Sequence, residues 1–467
     1  MFTSEEVRFS LTVITNKEKT KVLFAIIDNN LADILLSFLT LPLGVIQQLL
    51  EKHYGDQAPT IGSLNTFHRG LANLDSDHFW KEACKLMLFN PRSSFEEECF
   101  RLKLNIYDNQ SAIYFACESK DCRSTSVSLY HDTERCSCWK SMNREICING
   151  KQSHYSGGGF TVENKSFLIS DNLQMLPNDT GSMIKLVKDM GINETEQMTV
   201  SIGYNEIMDL LKGSLLSQTP LTDLILRRRL MRKSTLPLGI ERREISCSKK
   251  MKVKAIIQRS TNKFLYVEAE EDFIEYMFSF LTIPLGKVEF LLDSKTSLGS
   301  IDNLYSSLPN LKYIKTPHTL ERLLNPELPP KYLSTNQIFP LTEQKTPVIY
   351  YDYPNANDKN MKFSKSYLLY KKPEAHIMDP KGYHTYMKGP RLFTITDDLT
   401  VTPFCILSTL STLKRLKIPL SDVEVMELHI GLEEGLSILK ASLNSTSALI
   451  NGLNHILKKQ PKQEHSK

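Results

Sequence analysis

No run of apolar residues in this chain approaches the ~18 that a membrane-spanning helix needs. An excess of one charge is missing too. The 57 Lys and Arg residues face 53 Asp and Glu, and a net charge of +4 is too small to argue for nucleic acid by itself. The chain has no His-Glu-x-x-His, no dinucleotide-binding glycine fingerprint and no Gly-x-Ser-x-Gly, so the commonest motif-borne chemistries are excluded. Its first residues, Met1-Phe2-Thr3-Ser4-Glu5-Glu6, lack a basic block followed by an apolar one. The expectation is therefore no secretory signal, no membrane association and an intracellular chain, cytoplasmic or nuclear. In that reducing setting the 9 cysteines read as metal ligands or free thiols rather than disulfides. Apolar content of 41% is enough for a sizeable core.

What is present is a repeat. The run Ser37-Phe38-Leu39-Thr40-Leu41-Pro42-Leu43-Gly44 returns as Ser279-Phe280-Leu281-Thr282-Ile283-Pro284-Leu285-Gly286, with one exchange, Leu41 for Ile283. Upstream, Leu31, Ile34, Leu35 and Phe38 fall at helical spacing, as do Phe273, Met277 and Phe280. Asn29-Asn30 and Glu271-Asp272 are placed to cap those helices. The proline removes a donor and stops the helix. The glycine is free to take positive φ. An apolar segment follows, Val45 to Leu50 or Val288 to Leu292, so each copy reads as helix, kink, helix.

The correspondence extends both ways. Leu11–Ile14 and Lys21–Ala25 read as a hairpin, matched by Val253–Ile257 and Lys263–Val267. Gly62-Ser63-Leu64 matches Gly299-Ser300-Ile301. The halves diverge over 95–160 and 330–388, then rejoin at Phe167–Leu173 and Phe393–Leu399. A helix, a strand ending in Gly203 or Gly431, and a last helix follow in both. The fold expected is α+β, two tandem copies of one module made of a β-hairpin, a kinked helix pair and later helices and strands. The boundaries are 1–225 with a cysteine-rich insert at 112–150, a basic linker at 226–250, a second module at 251–457, and a disordered tail at 458–467. Arg227-Arg228-Arg229 in the linker reads as a helix end, with nucleic-acid binding as the alternative.

The insert holds Cys117-x4-Cys122-x13-Cys136-x-Cys138, with His131 and Cys147 as reserve ligands. Two close pairs of thiolates across a short loop suit a tetrahedral structural Zn²⁺ site, though both spacers depart from the usual two residues. Zinc is the candidate cofactor, and Cys117, Cys122, Cys136 and Cys138 are the candidate ligands. The second half has no cysteine there, and its stretch from Tyr350 to Pro380 reads as polar loop. Other signals are weaker. Asp397-Asp398 reads as a turn rather than a catalytic pair, because the first half offers Asp171-Asn172. Ser156-Gly157-Gly158-Gly159 lacks the Lys-Ser/Thr of a phosphate loop. His131-Asp132 beside the cysteines is the raw material of a thiol nucleophile and no more.

The hairpin, the Phe-Leu-Thr-Leu-Pro-Leu-Gly run, Ile-Thr-Asp-Asp-Leu-Thr-Val-Thr-Pro (395–403) and Ile438-Leu439-Lys440-Ala441-Ser442-Leu443 resemble the plant domain-of-unknown-function family 674. So do Cys136-x-Cys138 and Met142-Asn143-Arg144-Glu145. Many members carry glycine where this chain has Trp139. The resemblance implies a plant protein built of repeats and implies no activity. The reading preferred is a non-enzymatic module that binds a protein partner and carries a structural zinc site, with no catalytic residue assigned. The alternatives are a metal- or thiol-dependent enzyme centred on the cysteines, and nucleic-acid binding through the arginine linker.

Overall fold

The computed structural model describes residues 7–107, 113–122, 124–146, 159–190, 194–226, 249–261, 263–352, 362–364 and 374–457. The linker arginines, Cys147, Ser156 to Gly158 and the C-terminal tail lie outside them. The fold is α+β.

The chain opens with a hairpin, β1 (Phe9–Asn16) and β2 (Val22–Asp28), then α1 (Asn29–Ser37) and α2 (Leu43–Tyr54). Next come α3 (Leu64–Asn73), α4 (Glu82–Phe89) and α5 (Glu96–Phe100). The cysteine-bearing insert contributes β3 (Tyr114–Ala116), β4 (Ser126–Val127) and β5 (Arg144–Ile146). Then follow β6 (Ser166–Ser170), β7 (Met175–Pro177), α6 (Thr180–Met190), β8 (Thr195–Ile202), α7 (Tyr204–Leu216) and α8 (Pro220–Ile225). The five strands outside the insert form one antiparallel sheet, in the order β7-β6-β2-β1-β8.

The chain continues with β9 (Met251–Gln258), β10 (Lys263–Glu270), α9 (Glu271–Ser279), α10 (Leu285–Leu291), α11 (Ser300–Ser307) and α12 (Pro317–Leu324). β11 (Ile349–Asp352), β12 (Lys362–Ser364) and β13 (Glu374–Ile377) follow. Last are β14 (Leu392–Ile395), β15 (Val401–Pro403), α13 (Ile406–Arg415), β16 (Val423–Ile430), α14 (Leu432–Asn444) and α15 (Ala448–Leu457). The second antiparallel sheet has the order β15-β14-β10-β9-β16. The stretch from 350 to 380, expected to be loop, is partly strand. β11 pairs with β12 and β13, and β13 pairs in parallel with β4 of the first insert. Pairing with a distant segment supplies the order that local composition did not indicate.

Both octapeptides sit at the centre of one shared core. Phe38, Leu39, Phe280 and Leu281 are fully buried, and each such side chain contributes ~2 kcal/mol by leaving water. A 3₁₀ turn (Phe38–Thr40, Phe280–Thr282) links the two helices of each pair, and the proline caps the second. The caps of α1 and α9 fall one residue earlier than expected: Asp28 accepts the Leu31 N–H at 2.9 Å, and Glu270 makes no side-chain cap. The glycines differ more. Gly44 and Gly286 are helical, not at positive φ. Their role is close approach. The two octapeptides lie against each other, with Leu43 N–H donating to Ile283 O at 3.1 Å and Leu285 N–H to Leu41 O at 2.9 Å. A Cβ on Gly44 would stand 3.2 Å from Leu281 O, and one on Gly286 3.0 Å from Leu39 O.

The two sets of elements also trade contacts further out. The Ser63 N–H and hydroxyl reach Ser442 O and Ser445 O at 2.8 and 2.7 Å, while the Ser300 hydroxyl reaches Ser217 O at 2.6 Å. Val162 N–H donates to Tyr313 O at 2.8 Å, and Lys388 N–H donates to His78 O at 2.9 Å.

Candidate metal centre

The four expected ligands converge. The sulfurs of Cys117, Cys122, Cys136 and Cys138 all lie within 4.8 Å of one another. Cys117 and Cys138 sulfurs are 3.4 Å apart, and Cys122 and Cys136 sulfurs 3.6 Å. These separations are far beyond a disulfide bond, and the cysteines are free. They are near the ~3.8 Å edge of a tetrahedron with Zn–S bonds of ~2.3 Å.

Local structure explains how irregular spacers permit this. Cys117 leaves the end of β3, and a turn closed by Cys122 N–H on Ser119 O, 3.2 Å, brings the second thiol back. On the other side a tight hairpin forms. Arg135 bridges to Ser141, Cys136 N–H donates to Lys140 O at 2.9 Å, and Trp139 N–H donates to Cys136 O at 2.8 Å. Such a turn carries both thiols on one side with a single residue between them. It requires a left-handed residue after Cys138, and Trp139 takes it with φ 66°.

The sulfurs are further prepared by backbone donors. The N–H of Ser119 faces Cys117, that of Ser124 faces Cys122, and that of Cys138 faces Cys136. A sulfur accepting an N–H from two residues on is stabilised as thiolate. Burial and the neighbouring sulfurs push Cys117 and Cys122 up. At Cys136 burial is outweighed by the Cys138 N–H and by the Ser124 and Ser137 hydroxyls, and the group comes down. Four crowded sulfurs cannot all be anionic without a cation among them, and a divalent metal would resolve that conflict. The thiols outside the cluster differ: burial, which outweighs the opposing donors and cations around them, pushes Cys84 up to about 11 and Cys99 up to about 12.

The surroundings fix the cluster to both inserts. Met142 is fully buried beneath it, and Met378, just after β13, packs against it. Met378 N–H donates to Val127 O at 2.9 Å. Glu134, on the hairpin, holds Lys81 at the start of α4 at 2.8 Å. His131 is not drawn into the ligand set; it packs edge-on against Phe115.

The chain belongs to the family of proteins of unknown function DUF674. Its family model matches residues 5–433. No curated protein and no solved structure matches the chain. Among the described residues no helix is long and apolar enough to cross a membrane.

The other motifs of this DUF674 chain resolve into structure. Asp171 accepts the Thr222 N–H at 2.8 Å and Asp397 accepts the Ile450 N–H at 2.8 Å, so each caps a later helix. Asp398 closes a turn on Thr400. The residues that motif reading passed over are Asp33 and Glu275. Both are buried carboxylates within apolar helices, 242 positions apart like the octapeptides. Asp33 accepts from the N–H of Phe160 and of Thr161 at 2.9 and 2.8 Å. Glu275 accepts from the N–H of Tyr386 and of Met387 at 2.9 and 3.2 Å. Each clamps the return of an insert. The signal was available: a carboxylate inside Leu31–Leu36 or Phe273–Phe278 needs a buried partner.

Proposed function

We propose that this protein is a non-catalytic binding module made of two copies of one unit, in which Cys117, Cys122, Cys136 and Cys138 hold a structural Zn²⁺. The convergence of the four sulfurs within 4.8 Å carries the metal reading. Four thiolates fill a tetrahedral shell, so the ion would cross-link loops and present no open position to a substrate. Its place is the join between β4 and β13, where it would hold the two inserts together. The matching strand orders and reciprocal contacts of the two sheets support the two-copy reading. The inserts are where the halves differ, and variable segments on a rigid scaffold are where binding specificity resides. Trp139, 86% exposed at the hairpin tip, is the residue best placed to meet a protein partner.

Elemental analysis of the purified chain tests the metal. One zinc per chain is expected, lost when Cys136 and Cys138 are both replaced by serine. Less than a tenth of an equivalent after expression with zinc supplied would overturn it. The partner reading is tested by capture with the native chain and with Trp139→Ala, and equal recovery of the same protein by both removes Trp139 from the surface.

A further inference from the structure

The carboxyls of Glu289, on α10, and Asp302, on α11, meet in the core against Thr296. The Thr296 hydroxyl lies 2.9 Å from Glu289 Oε1, touches Asp302 Oδ1 and accepts the Leu298 N–H at 3.2 Å. A hydroxyl has one hydrogen, so it can satisfy one of these two carboxyl oxygens. The other must bring its own proton. Two carboxylates crowded onto one hydroxyl would also repel each other, and the charge of Asp302 acts on Glu289 in that sense. Glu289 is fully buried, and its Oε2 has no hydrogen-bond partner, an arrangement tolerable for a neutral acid and very costly for an anion. Buried Lys440, on α14, acts on Asp302, and Lys295 acts on Lys440. Asn444, also on α14, donates to Thr296 O at 2.7 Å.

The first half supplies the control. The residue five positions after Pro284 is Glu289, and five after Pro42 is Gln47; beside Gly62-Ser63-Leu64 stands Asn65, where Asp302 follows Gly299-Ser300-Ile301. Both first-half residues are buried amides, isosteric with carboxylic acids but unable to ionise. Gln47 Oε1 is likewise buried without a partner.

We propose that Glu289 and Asp302 hold one carboxyl proton between them in the folded protein, so that the corner where α10, α11 and α14 meet loosens as pH rises while the Gln47–Asn65 corner does not. Burial, then the charge of Asp302, pushes Glu289 well above the usual carboxylate range, and burial raises Asp302. The sign follows. A carboxyl that holds its proton more tightly when folded stabilises the fold at low pH, and that stability is lost as pH climbs through the folded value. Between the unfolded and folded values each pH unit changes the unfolding constant about tenfold.

Denaturant unfolding of the full chain between pH 5 and 8, with Glu289→Gln and Asp302→Asn, tests this. The ratio of the native unfolding constant to that of Glu289→Gln should grow about tenfold per pH unit. Asp302→Asn gives Glu289 an amide donor and should flatten the profile less. Should Glu289→Gln fail to fold, the infrared spectrum of the native chain decides. A protonated-acid carbonyl band at pH 7 that Asp302→Asn diminishes supports the shared proton. Parallel pH profiles, or no acid band at pH 7, overturn it.

Discussion

The sheet that begins at Phe9 and the sheet that begins at Met251 each hold five antiparallel strands with the hairpin second and third from one edge, and they part company in their inserts. The first insert gathers four thiols within 4.8 Å, and the second gathers none. What the halves share is the apparatus of interlock: the paired octapeptides, the crossed contacts of Ser63 and Ser300, and the carboxylate clamps of Asp33 and Glu275. What they do not share lies at the periphery. The difference separates two kinds of constraint. Contacts on which both halves depend are hard to change; the cysteine-bearing loops hang from one sheet, and the other sheet has no such cluster among the described residues.

The comparison breaks most severely at Gly62. Its φ is +48°, and an added Cβ would stand 2.3 Å from the backbone carbonyl of Ser442 in the other half. Gly62→Ala should cost ~4 kcal/mol or prevent folding, because backbone cannot step aside cheaply. The matching Gly299 has φ +27°, but its Cβ would meet the side chain of Gln218, which can move. Gly299→Ala should cost about half as much. Equal losses by chemical denaturation would show that Gln218 cannot step aside and that the two crossings are equally rigid, against the difference the contacts imply.

The clamps come next. Asp33→Ala and Glu275→Ala each strand two backbone donors in the core, and each should cost ~3 kcal/mol. Asp33 adds a pH signature. Burial, opposed by the Thr161 hydroxyl and the two N–H groups, raises it to about 6. A raised carboxyl stabilises the fold below its unfolded value and loses that contribution as pH rises through about 6. Relative to Asp33→Asn, the native chain should therefore weaken between pH 4 and 7. A flat difference between the two melting curves would refute that assignment.

Much of this scaffold could be read from the residues alone, because it is local: the hairpins, the proline-stopped helices, and the strands at Phe167 and Phe393 obey periodicity and turn chemistry. The four cysteines could also be read, since thiol chemistry leaves few uses for two close pairs. What could not be read is long-range. That Gly44 and Gly286 serve a mutual close approach depends on residues more than 200 positions apart. So does the ordering of 374–377 by β4. The helix clamps went unnoticed because one polar residue in an apolar helix is invisible to a count of hydrophobic spacing.

Removing the metal should loosen the inserts where they meet and spare the two five-stranded sheets. Chelation, or Cys117→Ser with Cys122→Ser, should raise protease sensitivity within 113–146 while far-UV circular dichroism stays nearly constant. The melting temperature should fall by no more than several degrees, as ~1–2 kcal/mol would give in a chain this size. A global collapse on chelation would mean that the insert supports the shared core after all.

The smallest effect concerns the hairpin tip. Trp139 occupies a left-handed position that glycine adopts freely, at a price of ~1 kcal/mol in backbone strain. Its ring is 86% exposed, so little packing offsets that strain. Trp139→Gly should therefore hold zinc at least as tightly as the native chain in a competitive chelator titration, and the insert should resist proteolysis slightly better. If partner capture falls at the same time, the tryptophan is retained for what it touches outside the chain. Weaker zinc retention in the glycine variant would instead mean that the indole shields the cluster, and the contrast between a functional tip and a structural knuckle would have to be redrawn.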